Sequence, residues 1–375
     1  MTESVKDPLI RISSRGEIEK KKKIGIRVIC LTAALLLSLL LLAVIGKKNP
    51  FPAAMYIFLG TFENKAKFFG SLQEIVVLLG IAVALAPAYK MKFWNIGAQG
   101  QILIGALMSA VVMIYGKELP TAVLLLFELI AASVGGALWS FLPAFFKAHR
   151  KTNETLFTLM MNYIAVQLVS FATENWRGNN SSMGIVNMTT RAGWLPTLFG
   201  NKTILPLILV LILVAAMTVY MFRSKQGYEI QVIGESVDTA RYTGIRVEHV
   251  MIRTVMISGA LCGFIGFLYV AGFDHTISST TSGSYGFTAI IVCWLSHFQP
   301  VMMILYSTLI VFLNRGAINL KNKAYAPGLN EYSCELIVML IIMAIMLSDF
   351  FIDYKLIVRK DLFLRKKKRE ETAHE

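Results

Sequence analysis

Charge and histidine are scarce in this chain, and their scarcity excludes several functions before any motif is read. Only 16% of the 375 residues are charged, where a soluble domain carries about 25%. The five histidines and four cysteines form no CxxC pair, no HExxH helix and no cluster at metal-ligand spacing, so no metal site is encoded. Cys30, Cys262, Cys293 and Cys334 all fall inside apolar runs, where a free thiol packs as a small hydrophobe. A serine nucleophile elbow is missing. So is the G-x-x-x-x-G-K-[ST] phosphate loop: Gly116-Lys117 is followed by Glu118 and lacks the upstream glycine. A chain without that loop does not bind ATP in the usual way, and an intramembrane enzyme is disfavoured.

What the chain has instead is apolar sequence, 55% of the total with a mean hydropathy of +0.61. It is arranged in blocks close to the roughly 20 residues that cross a bilayer as a helix. The first block, 26–46, follows a basic flank but is longer than the 7–15 residues of a signal-peptide core. It ends at Lys47-Lys48 without a small-residue cleavage site, so it reads as a retained membrane helix. Hydropathy and turn signals place about ten crossings near 26–46, 72–89, 96–115, 121–146, 155–172, 203–222, 250–271, 286–298, 301–318 and 333–353. Segment 286–298 is too short to span unaided, and one segment can be re-entrant. The expected fold is all-α and polytopic.

The net charge of +14 is compatible with nucleic acid in size but not in placement. With the N-terminus inside, the cytoplasmic segments carry 24 Lys and Arg against 10 on the outer side. This asymmetry favours an N-in/C-in topology and no nucleic-acid partner. The organisation is then a basic cytoplasmic tail over 1–25, a membrane domain over 26–353 with a long inner loop at 223–249, and a basic cytoplasmic tail over 354–375. The tails suit solvent or anionic lipid. A second polar stretch, 173–202, forms a long outer loop containing Trp176 and Trp194.

The inner loop carries local helix signals. Ser236 is placed to cap a helix, with Asp238 in its first turn against the positive helix end, and Gly244 is a helix stop. Two turns span about 10–12 Å. Such a helix is too short and polar to stand alone, so it either docks on a partner or is an ordinary charged connector.

The stretch "GESVDTARYTGI" (234–245) resembles the "G-x-N-xx-A-A-R-Y-x-G-I" loop of permease subunits in ATP-binding-cassette importers, the group that includes branched-chain amino-acid and simple-sugar permeases. Gly234, Ala240, Arg241, Tyr242, Gly244 and Ile245 match, and Glu235-Ser236 replaces an Asn-containing pair. The resemblance implies that this loop helix, with Glu235 and Asp238, couples the membrane helices to a separate ATPase subunit. "FWNIGAQGQILIGAL" (93–107) is similar to that group's "FNIGAEGQLLIGA". "GGALWSFLPAFFKAHRKTNETLFTLMMNYIA" (135–165) resembles "GALWG-LPG-LKA…NE-I-TLMLNYIA", typical of permeases paired with nucleoside-binding lipoproteins. "GSYGFTAIIVCWLSHFQP" (283–300) resembles "G-GF-AIAVALLG…P" but departs from it in "CWLSHF".

From these matches follow several expectations: a type II-like importer permease in the bacterial cytoplasmic membrane, a nucleoside substrate, and an external binding lipoprotein. A second homologous permease subunit would complete a heterodimer. No cofactor is expected on this chain, with ATP and Mg held by the ATPase partner.

The residues add a compatible reading. Glu154, Thr158 and Asn162 recur every four residues and share a helix face; Asn95 and Gln99 do the same on the neighbouring segment, with Gln101 beside them. Together with Tyr163 these groups either line a polar solute path or make helix-to-helix hydrogen bonds. Gly259 and Gly263 are spaced for close helix packing. Asp274 and His275 read as solvated residues of the outer mouth. Two other function classes stay open beside the importer. An ion-coupled secondary transporter needs a titratable group near the midplane, whereas Glu74, Glu154 and Glu335 lie near helix ends. A membrane enzyme or scaffold has only the outer loop in its favour.

Overall fold

Long apolar runs with few breakers leave the backbone one way to satisfy itself away from water, and helices dominate accordingly. The computed structural model describes residues 10–14, 19–46, 55, 61–178, 180, 183–322 and 331–358. Much of both basic tails and the side chains of Cys334 and Glu335 lie outside the described residues. The chain divides into two units, 61–315 and a smaller one made of 1–60 with 316–375.

In the smaller unit α1 (Lys20–Gly46) packs on α12 (Glu331–Asp353). A short antiparallel ribbon accompanies them: β1 (Ile10–Ser14) pairs with β2 (Tyr354–Val358), Ile10 opposite Val358 and Ser14 opposite Tyr354. The all-α expectation therefore needs one amendment, because residues on the far sides of the first and last helices meet as strands.

The larger unit runs α2 (Lys65–Lys90), α3 (Ala98–Tyr115), α4 (Thr121–Arg150), α5 (Glu154–Arg177), α6 (Ile204–Arg223), α7 (Lys225–Glu235), α8 (Val237–Tyr242), α9 (Val247–Phe267), α10 (Tyr285–Leu295) and the start of α11 (Pro300–Asn322). Helix α9 continues as a π-helical turn, Leu268–Asp274. Among the described residues seven helices are long and apolar enough to cross a membrane: α2 to α6, α9 with its π turn, and α11. Helix α10 is not one of them. Its 11 residues reach about 16 Å at 1.5 Å each, half of a hydrocarbon core of roughly 30 Å.

Helix α9 is the axis of the unit, packing against α2, α3 and α4. Small residues make that possible. Gly263 faces the Ala132 carbonyl and the Gly136 Cα of α4, Gly259 faces Ser140 and the Gly136 carbonyl, and Gly105 of α3 rests on Gly263. A Cβ at any of these glycines would run into a neighbouring atom. Without a hydrophobic drive between helices in lipid, this close backbone approach and its dispersion contacts hold the bundle together.

Candidate coupling and translocation site

The inner loop is more helical than its charge suggests. Ser224 caps α7 by accepting from the Gly227 amide at 3.0 Å. The helix then turns Ile230 and Ile233 inward at i, i+3 spacing, with both buried. After one extended residue, Ser236 caps α8 through the Thr239 amide at 3.2 Å. Gly244, at φ +80°, closes the segment in a conformation that costs an L-residue roughly 1–2 kcal/mol. The helix boundaries read from Ser236 and Gly244 match the observed α8.

Helix α8 is anchored by one small side chain. Ala240 is fully buried in a cluster with Ala88, Met91, Phe93, Ala144, Ile230, Ile233, Val247 and Val250, and Ile245 packs against that cluster. Gly234 lies on the Lys90 carbonyl at the end of α2, with no space for a Cβ. Everything else on α8 points out. Glu235, Asp238 and Arg241 are exposed and Tyr242 is 93% exposed. Arg241 pairs with Glu248 at 3.0 Å, holding α8 to the first turn of α9. This segment presents a polar, aromatic-tipped knob on a base that touches α2, α7 and α9.

The second constellation surrounds the irregular backbone between α2 and α3. Asn95 and Gln101 exchange amide hydrogen bonds at 3.3 and 3.2 Å, and Asn95 Oδ1 also accepts from the Gly97 amide at 3.0 Å. Across the gap to α5, Asn162 donates to the Ile96 carbonyl at 2.9 Å and accepts from the Gly100 amide at 2.8 Å. Thr158 Oγ1 accepts from the Ile96 amide at 3.2 Å and donates to the Glu154 carbonyl at 2.7 Å. Glu154 meets Lys147 of α4 at 2.6 Å. Asn95, Gln101, Thr158 and Asn162 are all buried, and they supply the partners that a break in helical backbone loses. Gln99 is half-buried, its backbone against Gly286 of α10, and Tyr163 is 63% exposed on α5. Four of the seven path candidates are thus gathered at one bend, while Glu154 is in an ion pair and Tyr163 faces outward.

Two acidic positions add to this picture. Glu74 of α2 forms a two-point pair with Arg315 of α11, at 2.8 Å each, with the Tyr285 ring of α10 beside it. Glu128 is completely buried in α4, with Ser109 Oγ of α3 at 3.4 Å and Gly193 of the outer loop against its carboxyl group. Among the described residues its Oε1 has no hydrogen-bond partner. The sequence reading passes over Glu128, since a lone glutamate in "LLLFELIAAS" shows no partner within its own helix.

The described part of the 173–202 loop closes over the end of α9 as a lid rather than hanging as a loose tether. The π turn of α9 frees carbonyls, and the loop takes them: the Leu195 amide donates to Ala271 at 2.8 Å and Lys202 Nζ to Phe273 at 2.6 Å. Trp194 stacks on His275 at 3.9 Å with planes 5° apart and donates its indole N–H to Val186. Burial, aided by the Lys202 charge, lowers the His275 pKa below the ordinary histidine value, so the ring is held neutral under the indole. His275 is thus half-buried in this lid, while Asp274 is exposed.

A bundle of membrane-length helices with a charged knob at one end and an irregular bend between two of them is the architecture of a polytopic membrane protein. The chain belongs to the family described as branched-chain amino acid transport system / permease component, whose model matches residues 68–347. It is an ABC transporter permease and a multi-pass protein of the cytoplasmic membrane. It is similar to the nucleoside ABC transporter permease protein NupB of Lactococcus lactis, at 26% identity over 82% of this chain and 87% of that one. The guanosine ABC transporter permease protein NupP of Bacillus subtilis is 28% identical, over 67% of this chain and 73% of its own. The glucose ABC transporter permease protein TsgB13 of Haloferax volcanii is 28% identical over 82% and 83% respectively.

Proposed function

We propose that this chain is one of two membrane-spanning subunits of an ATP-driven nucleoside importer, moving solute delivered by an external binding lipoprotein. The observation that carries the importer reading is α8. It exposes Tyr242, Arg241 and Asp238 while a single buried alanine fixes it to the ends of α2 and α9. A knob of this kind needs a receptor surface, and an ATP-binding-cassette ATPase with bound ATP and Mg supplies both receptor and stroke. The ribbon between residues 10–14 and 354–358 supports a topology with both termini on one side. With the basic tails inside, that side is the cytoplasm, and the chain crosses about ten times.

The nucleoside assignment rests on the NupB and NupP likenesses and on the "NE…TLM-NYIA" segment. Simple sugars are the second reading, favoured by the TsgB13 likeness. Equilibrium binding of the partner lipoprotein to purine and pyrimidine nucleosides, and to ribose, glucose and galactose, decides between them. Tight binding of a sugar with no nucleoside bound would overturn the nucleoside assignment.

Glu128 gives an ion-coupled transporter a specific point in its favour, because a buried carboxyl is the group such a mechanism requires. The reconstituted chain without an ATPase settles that point. Uptake driven by a proton gradient and abolished by Glu128→Gln would replace the importer reading; uptake only with the ATPase and ATP supports it.

A further inference from the structure

Trp294 lies in "CWLSHF", the segment where the chain departs from the family pattern, and it meets Trp94 face to face. The ring centroids are 5.4 Å apart and the planes 27° from parallel. Tyr89 braces Trp94 edge-on at 5.9 Å, and Phe298 braces Trp294 at 5.8 Å. Both indoles stay open on one side, at 42% and 41% exposure.

Each sits beside irregular backbone. Lys92 is at φ +61° two residues before Trp94, and His297 and Phe298 are at φ +49° and +60° just after Trp294. The bend carrying Trp94 is level with Thr158 and Asn162, one to two turns inside α5. Helix α10 runs alongside α2 in the same direction, Tyr285 at Glu74 and Cys293 at the Ala82 carbonyl, so Trp294 also ends a half-span. Non-helical backbone at such depth is tolerated only where protein covers it or where it lines a water-filled cavity. Exposed on one side, the indoles are free to meet a solute in such a cavity.

The two rings are fastened at different levels of α2, one within the helix and one on the bend beyond its end. The backbone just before Trp94 belongs to the coupling segment's base: Lys90 lies under Gly234, and Met91 and Phe93 pack with Ile230, Ile233 and Ala240, while Asn95 and Ile96 after it bond to α3 and α5. Trp294 is held by α10, whose Cys293 thiol donates to the Ala82 carbonyl at 3.1 Å, within α2 and about two turns before its Lys90 end. A displacement of α7 and α8 therefore moves Trp94 relative to Trp294.

We propose that Trp94 and Trp294 form an aromatic gate at the coupling end of the solute path, parted by the stroke at α8 and crossed by a flat, π-bearing solute that stacks on the indoles. A base between two rings needs roughly 7 Å, two ring contacts of about 3.5 Å, so a spacing of 5.4 Å is the closed state. The inference rests on the importer reading and gives it a reason to prefer a nucleobase over a bare sugar, because only the base has a face to stack.

The test uses the complete complex, with ATPase, second permease and binding lipoprotein, in proteoliposomes loaded with ATP. Uptake of radiolabelled guanosine and uridine is measured beside ATP hydrolysis. Trp294→Leu and Trp94→Leu are expected to lower nucleoside uptake per ATP hydrolysed about tenfold, as loss of one stacking contact implies, and Trp294→Phe to restore it to within about twofold. A wild-type complex that transports no nucleoside would overturn the proposed substrate, and with it the premise of the gate. A wild type that transports nucleosides with Leu variants at the same uptake per ATP would overturn the gate alone, leaving the indoles as interfacial anchors.

If a Leu variant fails to assemble, a complex with Trp139, Trp176 and Trp194 replaced by Phe reports on the pair directly. Trapping its ATPase with vanadate should shift the emission of this chain's two remaining indoles, taken as the difference from a complex in which Trp94 and Trp294 are also Phe; an unchanged difference spectrum would overturn the gate.

Discussion

Replacing Asn162 by leucine separates the two roles that the polar residues of α5 can have. Asn162 is 4% exposed and makes two hydrogen bonds to the bend, to the Ile96 carbonyl and from the Gly100 amide. Leucine keeps the volume but leaves both backbone groups without a partner. Interhelical side-chain bonds in membranes average about 0.6 kcal/mol each, which sets a floor near 1.2 kcal/mol for the pair. A buried backbone group left unsatisfied costs about 1–3 kcal/mol, so a loss of about 2 kcal/mol is expected. That is an increase of roughly eightfold to thirtyfold in the open population, at about 1.4 kcal/mol per tenfold. The fully buried thiols of Cys262 and Cys293 are built-in reporters, since a fluorogenic maleimide reacts with them only when the bundle opens. The labelling rate of Asn162→Leu should rise by that factor, and Asn162→Asp, which keeps the acceptor for Gly100, should rise less. A labelling rate within twofold of wild type, combined with a higher KM for solute, would refute the reasoning and make Asn162 a solute contact.

Three further outcomes are expected. Tyr242→Ala removes an exposed ring with little packing of its own, so the permease should keep its thermal stability while ATPase binding weakens about tenfold, as loss of a Tyr anchor implies; a melting curve measures the first and pull-down titration with the ATPase the second. Gly263→Val forces a branched side chain into the Ala132 carbonyl, and the overpacking, typically 1–3 kcal/mol, should abolish folded yield where Gly178→Val, in open space although at φ +58°, costs far less. His275 is held neutral in the folded lid, so the unfolded lid binds protons more readily; lid stability is complete above the free histidine value of about 6.5 and falls as pH drops below it. The hydrogen-exchange protection of Val186 and Leu195, each rate divided by its intrinsic rate at that pH, should fall between pH 7 and 5, and His275→Phe should flatten that dependence.

The parts of this structure that were legible from the sequence are those set by local signals. Ser236 and Gly244 mark the ends of α8 because capping and a left-handed stop are decided within a few residues. The helical runs behind α2 to α6, α9 and α11 were legible from hydropathy alone. Helix α7 was hidden by its charge: Ile230 and Ile233 give it one apolar edge, too short to stand out from a loop. The amides were legible as sharing a face but not as to its direction, since Asn162 finds its partners 62 and 66 residues away. Glu128 and the π turn gave no sign at all. One acquires meaning from Ser109 and Gly193 on other segments, and the other is a change of register that no composition marks.

Helix α9 also determines how a stroke at α8 can travel. It starts two residues after Ile245, with its first turn tied to α8 through Arg241 and Glu248, and its π turn holds the lid through Ala271 and Phe273. Between these ends it is locked to α4 and α3 through the glycine contacts at 259, 263 and 266, where bending would drive backbone into backbone. Packed interiors of this kind shift as rigid pieces rather than deform. The Lys90–Asn95 bend is different: its helix has ended, short turn bonds such as Phe93 to Ala88 and Asn95 to Phe93 shape it, and side chains make its ties to α3 and α5. A push at α8 therefore has two exits: the rigid one carries it along α9 to the outer lid, and the yielding one turns the bend that carries Trp94. Opening at one end and release at the other can share one cause without any residue contacting both.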